Sequence, residues 1–276
     1  MGLAGESGSG KSTLALGMLR LLNPPGRVVG GEVDYDGVDI LKLKENDFRE
    51  NYRWNKLAMV FQGSMSGFTP VFTIGAQISE VLKIHGQEAG PQKVRNLLEL
   101  VNLDETITRR YPHELSGGQK QRAFIAMALA LDPQVLVADE PTTALDVITQ
   151  ANILNLLKAL RKDLGISILL VTHDLAIISE TVDRLYIMYA GKIVEEGDSA
   201  EFFEKPKHPY SQGLLASTPT LKSKEIKGIP GFMPDLASVP PGCSFAPRCP
   251  FAMDICRREE PKLKGVGRER VACWLY

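Results

Sequence analysis

The stretch Gly5-Glu6-Ser7-Gly8-Ser9-Gly10-Lys11-Ser12 decides the fold of this chain, and it directly follows the apolar run Gly2-Leu3-Ala4. It matches the pattern GxxxxGK[ST] at every fixed position. Glycines allow successive backbone amides to point at one phosphate, and the helix that follows adds its positive N-terminal end. We predict a phosphate-binding loop in which Lys11 reaches the β- and γ-phosphates of a nucleotide and Ser12 binds Mg²⁺, with Thr13 among the binding residues. An ordinary glycine turn is the alternative for this stretch alone.

A second stretch, Val135-Leu136-Val137-Ala138-Asp139-Glu140, is an apolar strand that ends in two carboxylates. We expect this strand to deliver Asp139 to the Mg²⁺ side of the phosphates, where phosphoryl transfer needs charge neutralisation. Glu140 is then placed to orient or deprotonate the attacking water. Two carboxylates at a strand end are also common as solvated groups, so their functional interpretation depends on the phosphate-binding loop.

Apolar strands alternate with helical patterns along the chain, which is typical of a parallel α/β sheet. The patterns predict helices over 11–22 and 147–164, a hairpin over 31–41, and a final hairpin of strands over 184–189 and 192–195. Beyond about residue 206 the composition shifts to Pro, Gly and Cys. The predicted parts are a nucleotide-binding α/β core over 1–62 and 133–205, an inserted helical subdomain over 63–132, and a C-terminal extension over 206–276.

The stretch Leu115-Ser116-Gly117-Gly118-Gln119 distinguishes between families of phosphate-loop proteins. It opens a helix with exposed amides, which makes a second anion-binding terminus. A plain helix N-cap is the alternative for this stretch alone. With it, six ordered motifs resemble those of the ABC ATPases, which implies a P-loop NTPase (RecA-like) fold and ATP hydrolysis. The motifs are the phosphate-binding loop, Gln62, the stretch 115–119, Asp139-Glu140, Asp146 and His173.

The resemblance also implies a role for each motif. Gln62 would contact Mg²⁺ and the attacking water, and His173 would contact the γ-phosphate. Ser116 and Gly118, with the neighbouring residues of their stretch, would bind the ATP held by a second ABC ATPase subunit in a head-to-tail dimer, and Asp146 would lie in the same composite site. The implied cofactors are ATP and Mg²⁺.

All four cysteines lie in the C-terminal extension, at Cys243, Cys249, Cys256 and Cys273. Disulfides are disfavoured if the chain stays in a reducing cytoplasm, which leaves structural zinc or an iron–sulfur cluster. The extension resembles that of ATPases from oligopeptide, dipeptide and nickel importers, and this resemblance favours a four-iron, four-sulfur cluster over zinc. Relatives often have a His where this chain has Glu269.

The overall composition supports no nucleic-acid partner, because the net charge is −1 and 24% of the residues are charged. No apolar run approaches the roughly 20 residues of a membrane-spanning helix. We therefore expect a peripheral protein at the cytoplasmic face of the cell membrane. The resemblance implies two membrane-spanning permease subunits as partners and, indirectly, an extracytoplasmic solute-binding protein.

Several alternatives remain open for the function. Peptide uptake is the favoured role, and nickel or oligosaccharide uptake would use the same motor. A soluble ABC ATPase of translation or DNA repair is a further alternative, since fold alone does not fix function. ABC ATPases also have strands before the phosphate-binding loop that hold an aromatic residue for adenine. Only the short run Gly2-Leu3-Ala4 precedes Gly5 here, without that aromatic residue, so a non-functional, N-terminally truncated fragment is another expectation.

Overall fold

The computed structural model describes residues 1–218 and 228–276 of the chain. The strands are β1 Gly2–Ala4, β2 Asp34–Tyr35, β3 Val38–Asp39, β4 Leu57–Val60, β5 Val135–Asp139, β6 Ser167–Thr172, β7 Arg184–Tyr189, β8 Lys192–Asp198, β9 Lys264–Val266 and β10 Glu269–Val271. The helices are α1 Lys11–Met18, α2 Glu45–Asn51, α3 Ile74–Ile84, α4 Pro91–Leu100, α5 Gly117–Ala128, α6 Val147–Leu164, α7 Leu175–Thr181, α8 Ser199–Glu204, α9 Pro209–Ala216 and α10 Asp254–Arg258.

The chain forms two compact units, and the first contains residues 1–14 and 170–276. In this unit β1 pairs in parallel with both β6 and β7, so that Ala4 lies opposite Thr172 and Ile187. The sheet continues in the antiparallel sense from β7 to β8, from β8 to β10, and from β10 to β9. Two strands of the predicted C-terminal extension therefore belong to the same sheet as the strand that precedes the phosphate-binding loop.

A hydrophobic cluster supports the sheet of the first unit. Ala4 of β1 and Tyr189 of β7 share this cluster with Tyr210 of α9 and Phe245, and all four are almost completely buried. Burial of such large aromatic side chains favours folding, by about 25 cal/mol per Å² of apolar surface removed from water. The cluster thus fixes the extension to the sheet through apolar packing as well as through strand pairing.

The second unit contains residues 15–169, with helices α2 to α6 wholly inside it. Its strands β4 and β5 pair in parallel, with Val60 opposite Ala138. Helix α5 packs against α3, α4 and α6. The hairpin β2–β3 turns at Asp36 and Gly37, whose φ angles of 50° and 84° are those that a two-residue hairpin turn requires.

The structure confirms the α/β fold class, because its sheet contains parallel neighbours joined through helices. The predicted domain boundaries stay a prediction, and the range 206–276 includes residues 219–227, which lie outside the described residues. In the part of the chain that the structure describes, no helix is both long and apolar enough to cross a membrane.

Candidate nucleotide-binding site

The predicted phosphate-binding loop leaves the C-terminal end of β1 and leads into α1. Its glycines take backbone conformations that other residues rarely adopt, with φ of 80° at Gly8 and 101° at Gly10. A Cβ atom at Gly5 would lie 2.2 Å from the carbonyl oxygen of Met188, so only glycine fits there. The loop therefore has the backbone freedom that a phosphate cradle requires.

Lys11 is the first residue of α1, and its side chain folds back over the loop. Its Nζ donates hydrogen bonds to the carbonyl oxygens of Gly5 and Glu6, both at 2.9 Å, and lies 3.5 Å from the Ser9 hydroxyl. Only 5% of Lys11 is exposed. A buried ammonium group thus lies at the loop, beside the N-terminus of the helix that Lys11, Ser12 and Thr13 begin.

His173 belongs to the same unit and directly follows β6. Because Ala4 and Thr172 are register partners in parallel strands, Gly5 and His173 both follow the same end of neighbouring strands. Ligands of parallel α/β sheets bind at the carboxyl ends of strands. The first unit therefore contains both the loop over 5–13 and His173. The strands that precede them, β1 and β6, lie side by side.

The second unit contains Gln62 and Glu140, and here the structure brings two predicted catalytic residues into contact. Val60 of β4 and Ala138 of β5 are register partners, and each predicted residue lies two positions further along. The Gln62 Nε2 donates to the Glu140 Oε2 at 2.9 Å, and the Thr143 hydroxyl donates to the same oxygen at 2.9 Å.

Two further features distinguish the carboxylates of Asp139 and Glu140. Glu140 has a φ of 45°, a conformation that non-glycine residues adopt rarely and that is concentrated at functional sites. Asp139 precedes it as the last residue of β5 and is only 2% exposed. Carboxylate and hydroxyl oxygens are ligands that Mg²⁺ prefers, so the donor types of Asp139 and of Ser12 suit this ion.

The stretch 115–119 forms the start of α5, as its sequence predicts. The Ser116 hydroxyl accepts from the Gln119 N–H at 3.3 Å, while the Gln119 Oε1 accepts from the Ser116 N–H at 3.0 Å. This reciprocal pair is a capping box, which fixes the helix N-terminus. A pocket of about 460 Å³ opens there, and Gly118 and Arg122 also line it. The pocket therefore combines a helix N-terminus with the guanidinium groups of Arg110 and Arg122 and the carboxylates of Asp104 and Glu114.

Asp146 caps α6 in the second unit. Its carboxylate accepts hydrogen bonds from the Thr149 hydroxyl at 2.6 Å and from the Thr149 N–H at 3.0 Å. Both bonds lower the pKa of Asp146, and the bond from the Thr149 hydroxyl has the larger effect. The observed contacts of Asp146 are those of an N-cap, and its predicted place in a composite site stays a prediction.

The four cysteines lie in one region of the first unit. The backbone N–H of Cys243 donates to the carbonyl of Cys256 at 2.8 Å. Burial raises the pKa of the Cys243, Cys249 and Cys273 thiols, and nearby thiols of this set raise it further. However, among residues 1–218 and 228–276 no group of three or more His, Cys, Asp or Glu residues is arranged to hold a metal ion. The side chains as placed do not fit a single-ion site.

Glu269 forms an ion pair with a lysine side chain in this structure. It is 2% exposed, and the Lys207 Nζ donates to its Oε2. The carboxylate is thus paired with an ammonium group from the segment between α8 and α9. This pairing gives the Glu at this position a structural role in joining β10 to that segment.

Sequence patterns did not assign a site role to Tyr210 or Arg248, although both contact the phosphate-binding loop. The Glu6 N–H donates to the Tyr210 hydroxyl at 2.7 Å, and the Arg248 guanidinium binds the Glu6 carboxylate. Both residues are more than 200 positions from the loop in sequence. No local pattern reports contacts over such distances.

Comparison with known proteins is consistent with this geometry. Residues 1–143 match the family model described as ABC transporter, and residues 194–256 match the one described as oligopeptide/dipeptide transporter, C-terminal region. The chain is 44% identical over 284 residues to a protein of Sinorhizobium fredii named "Probable peptide ABC transporter ATP-binding protein", with coverage of 99% of this chain and 84% of that protein. It is 43% identical over 282 residues to the dipeptide transport ATP-binding protein DppD of Haemophilus influenzae, with the same coverage.

A solved structure shares the fold. The dimeric post-hydrolysis state of an ATP-binding cassette bound to ADP and Pi superposes with a TM-score of 0.62 and 31% identity, over 72% of this chain and 84% of that chain. The family model on residues 1–143 spans more than half of the 276 residues, and the relatives exceed 40% identity over nearly the whole chain. The chain therefore belongs to the ABC transporter family, among the ATP-binding subunits that carry the oligopeptide/dipeptide transporter C-terminal region.

Proposed function

We propose that this chain is the ATP-hydrolysing subunit of an importer and that it powers peptide uptake through partner membrane subunits. The phosphates of ATP bind the loop from Gly5 to Thr13, with Lys11 as their cation. Ser12, Gln62 and Asp139 hold Mg²⁺, which when bound supplies charge neutralisation for phosphoryl transfer. His173 contacts the γ-phosphate, as the family resemblance implies.

The observation that carries this proposal is the hydrogen-bonded carboxylate of Glu140. A general base must lie within hydrogen-bond reach of the proton that it abstracts, and its orientation must be fixed by its neighbours. Gln62 and Thr143 both donate to the same Glu140 oxygen, and together they fix the orientation of the carboxylate. Glu140 therefore orients and deprotonates the attacking water.

The pocket at the start of α5 supports a composite site. A helix N-terminus attracts anions, and the guanidinium of Arg122 adds positive charge. We propose that Ser116, Gly117, Gly118 and Gln119 bind the γ-phosphate of ATP held by a second subunit, in a head-to-tail dimer to which Asp146 also contributes. A dimeric state of a related cassette is known from a solved structure, which supports this arrangement.

The partners follow from the family. An ATP-binding subunit acts on a solute only through membrane subunits, so we propose two permease subunits, an extracytoplasmic solute-binding protein, and a peripheral location at the cytoplasmic face of the membrane. Peptides are the proposed solute because several relatives are named for peptide or dipeptide transport. Nickel and oligosaccharides are the alternative solutes.

Transport by the assembled complex tests this proposal. With its membrane subunits in proteoliposomes and the binding protein supplied, the chain is expected to drive ATP-dependent accumulation of a labelled dipeptide. The complex carrying Glu140→Gln, assembled in the same way, is expected to give only background uptake. Nickel or oligosaccharide uptake without peptide uptake would overturn the peptide assignment. Co-purification with ribosomes or DNA instead of membrane subunits would overturn the transport role.

We also propose that the four cysteines bind a four-iron, four-sulfur cluster. Structural zinc, which would bind the thiolates directly at about 2.3 Å, is the alternative. A cluster instead distributes its cysteine ligands over several iron atoms. The mutual influence of the thiols on their pKa values supports their proximity, and the resemblance to importers of this type supplies the identity of the group.

Metal analysis of the chain purified without oxygen tests this second proposal. We expect a broad visible absorption band and iron at about four atoms per chain. Replacing Cys273 by Ser is expected to remove the band, because one ligand is lost, while the exposed Ser179→Ala variant on α7 should keep it. Stoichiometric zinc without the absorption band would contradict the cluster.

A further inference from the structure

Glu6 is the second residue of the phosphate-binding loop, and each of its polar groups has a partner. Its carbonyl oxygen accepts from Lys11 Nζ at 2.9 Å. Its N–H donates to the Tyr210 hydroxyl at 2.7 Å. Its carboxylate accepts two hydrogen bonds from Arg248, from Nη1 to Oε2 at 2.7 Å and from Nη2 to Oε1 at 3.0 Å. The C-terminal extension therefore holds this loop residue by both its backbone and its side chain.

The Arg248 side chain is built into the extension as a rigid support. Only 6% of it is exposed. Its Nε donates to the Pro230 carbonyl at 2.7 Å, and its guanidinium lies 5.8 Å from the ring centre of Tyr189 and 6.0 Å from that of Phe245. A planar guanidinium that binds a carboxylate through two parallel bonds fixes direction as well as charge. Arg248 therefore constrains where the Glu6 carboxylate lies.

Tyr210 is held equally firmly. It is completely buried, and its ring centre lies 4.6 Å from that of Tyr189 and 5.4 Å from that of Phe245. Its own N–H donates to His208 Nδ1 at 3.0 Å, at the start of α9. Burial lowers the pKa of His208 to about 4, so the imidazole is neutral at physiological pH and can accept this bond. The Tyr210 hydroxyl thus has a fixed position from which it accepts the Glu6 N–H.

Both supports are adjacent to the cysteine region. Arg248 ends the 3₁₀ helix Ala246–Arg248 and directly precedes Cys249, while Cys243 and Cys249 pack against the cluster that contains Tyr210 and Phe245. Tyr210 and Arg248 therefore connect the packing of this region to Glu6. The loop binds phosphate through its backbone, and such sites require their groups within about 0.5 Å of the productive geometry.

We propose that Arg248 and Tyr210 are positioning residues for the phosphate-binding loop, and that by holding Glu6 they make the affinity for ATP depend on the folded C-terminal extension. This inference rests on the proposed binding of ATP at the loop. The two residues do not contact the nucleotide. They restrict the loop to the conformation that cradles phosphate, so the binding free energy of ATP is not spent on ordering it.

ATP affinity of loop and extension variants, measured on the full chain, tests this inference. Charge-assisted hydrogen bonds of this kind contribute enough that Arg248→Met is expected to raise the Kd for ATP about tenfold. Glu6→Gln is expected to raise it by a similar factor, and the double variant by no more than either alone, because both changes break one unit. Arg248→Lys keeps the positive charge but loses the two parallel hydrogen bonds. Its Kd for ATP should therefore lie between those of the wild type and of Arg248→Met. At saturating ATP, the kcat of Arg248→Met is expected to change by less than about twofold.

Arg270→Met is the matched control. Arg270 pairs with Glu196 at 3.0 Å and so joins β10 to β8 without touching the loop. Its loss is expected to leave the Kd for ATP unchanged, even if the melting temperature falls as in Arg248→Met. If Arg248→Met folds poorly, Glu6→Gln remains a clean probe because the Glu6 side chain is 28% exposed.

Three outcomes would overturn the inference. Wild-type ATP affinity in both Glu6→Gln and Arg248→Met would reduce these contacts to a purely structural role. Effects that add in the double variant would show that the two residues do not act as one unit. An equal loss of affinity in Arg270→Met would assign the effect to general destabilisation. Failure of the wild-type chain to bind ATP would instead overturn the proposed function itself, which separates the two tests.

Discussion

Replacing Glu140 by Gln is expected to lower ATP turnover about 10³-fold while ATP still binds, because general-base catalysis contributes about 10² to 10⁴ in rate. Glutamine has nearly the same shape as glutamate and keeps a side-chain oxygen for the donors Gln62 and Thr143, whose bonds to Glu140 are both 2.9 Å long. It lacks the basic oxygen that accepts the proton of the attacking water. The change therefore removes the chemistry and preserves the geometry.

Single-turnover release of phosphate, combined with an ATP titration, measures the two effects separately. A loss in kcat with an unchanged Kd is the signature of an interaction made only in the transition state. Glu99→Gln is the matched control, because Glu99 is an exposed carboxylate on α4 in the same unit. Turnover above a tenth of the wild-type rate in Glu140→Gln would show that another group activates the water.

Two elements have the bounds that the sequence predicts, whereas β8 extends to Asp198 beyond the predicted 192–195. Helix α6 spans Val147–Leu164 as its pattern indicates, since Asp146 caps its start and Gly165 ends it with a φ of 68°. Strand β7 also has both predicted bounds. Each of these elements carries its start and stop signals in its own residues, which is the condition for a correct prediction from local pattern.

Helix α1 shows where local pattern is insufficient. The sequence predicts a helix over 11–22, but the helix ends at Met18. Arg20 has a φ of 55°, its guanidinium donates to the Leu43 carbonyl at 2.8 Å, and it pairs with Glu45 at 3.0 Å. These contacts with a segment more than 20 residues away stop the helix four residues before the Pro-rich turn that the prediction used.

In the candidate site, too, local sequence pattern predicts the residues but not their contacts with distant segments. The residues of the phosphate-binding loop, Gln62 and Glu140 are evident from motifs because each motif is continuous and each follows a strand. The contact of Gln62 with Glu140 follows from the pairing of β4 with β5. The support of Glu6 by Tyr210 and Arg248 depends on packing of aromatic side chains from three separate segments, and no spacing rule describes such packing.

Replacing Lys11 by Met is expected to raise the Kd for ATP by roughly 100-fold. The Lys11 ammonium is 5% exposed and lies against the carbonyl oxygens of Gly5 and Glu6, which carry partial negative charge. Without the cation, the incoming phosphates meet these oxygens uncompensated. Lys11 and the bound phosphates would form a buried, hydrogen-bonded charge pair, and removing one partner of such a pair costs about 2–5 kcal/mol. Each 1.4 kcal/mol is a factor of about ten in affinity.

Comparison of nucleotides separates this electrostatic role of Lys11 from its contribution to loop structure. Lys11 is expected to contact the β- and γ-phosphates, which AMP lacks. Lys11→Met should therefore weaken ATP binding strongly and AMP binding by less than about threefold. Lys205→Met, at an exposed lysine of the same chain, should change neither. An equal loss for ATP and AMP would mean that the substitution disorders the whole loop. ATP affinity within threefold of the wild type would mean that the backbone amides and the α1 terminus suffice to hold the phosphates, and that the ammonium acts only to tie Gly5 and Glu6 together.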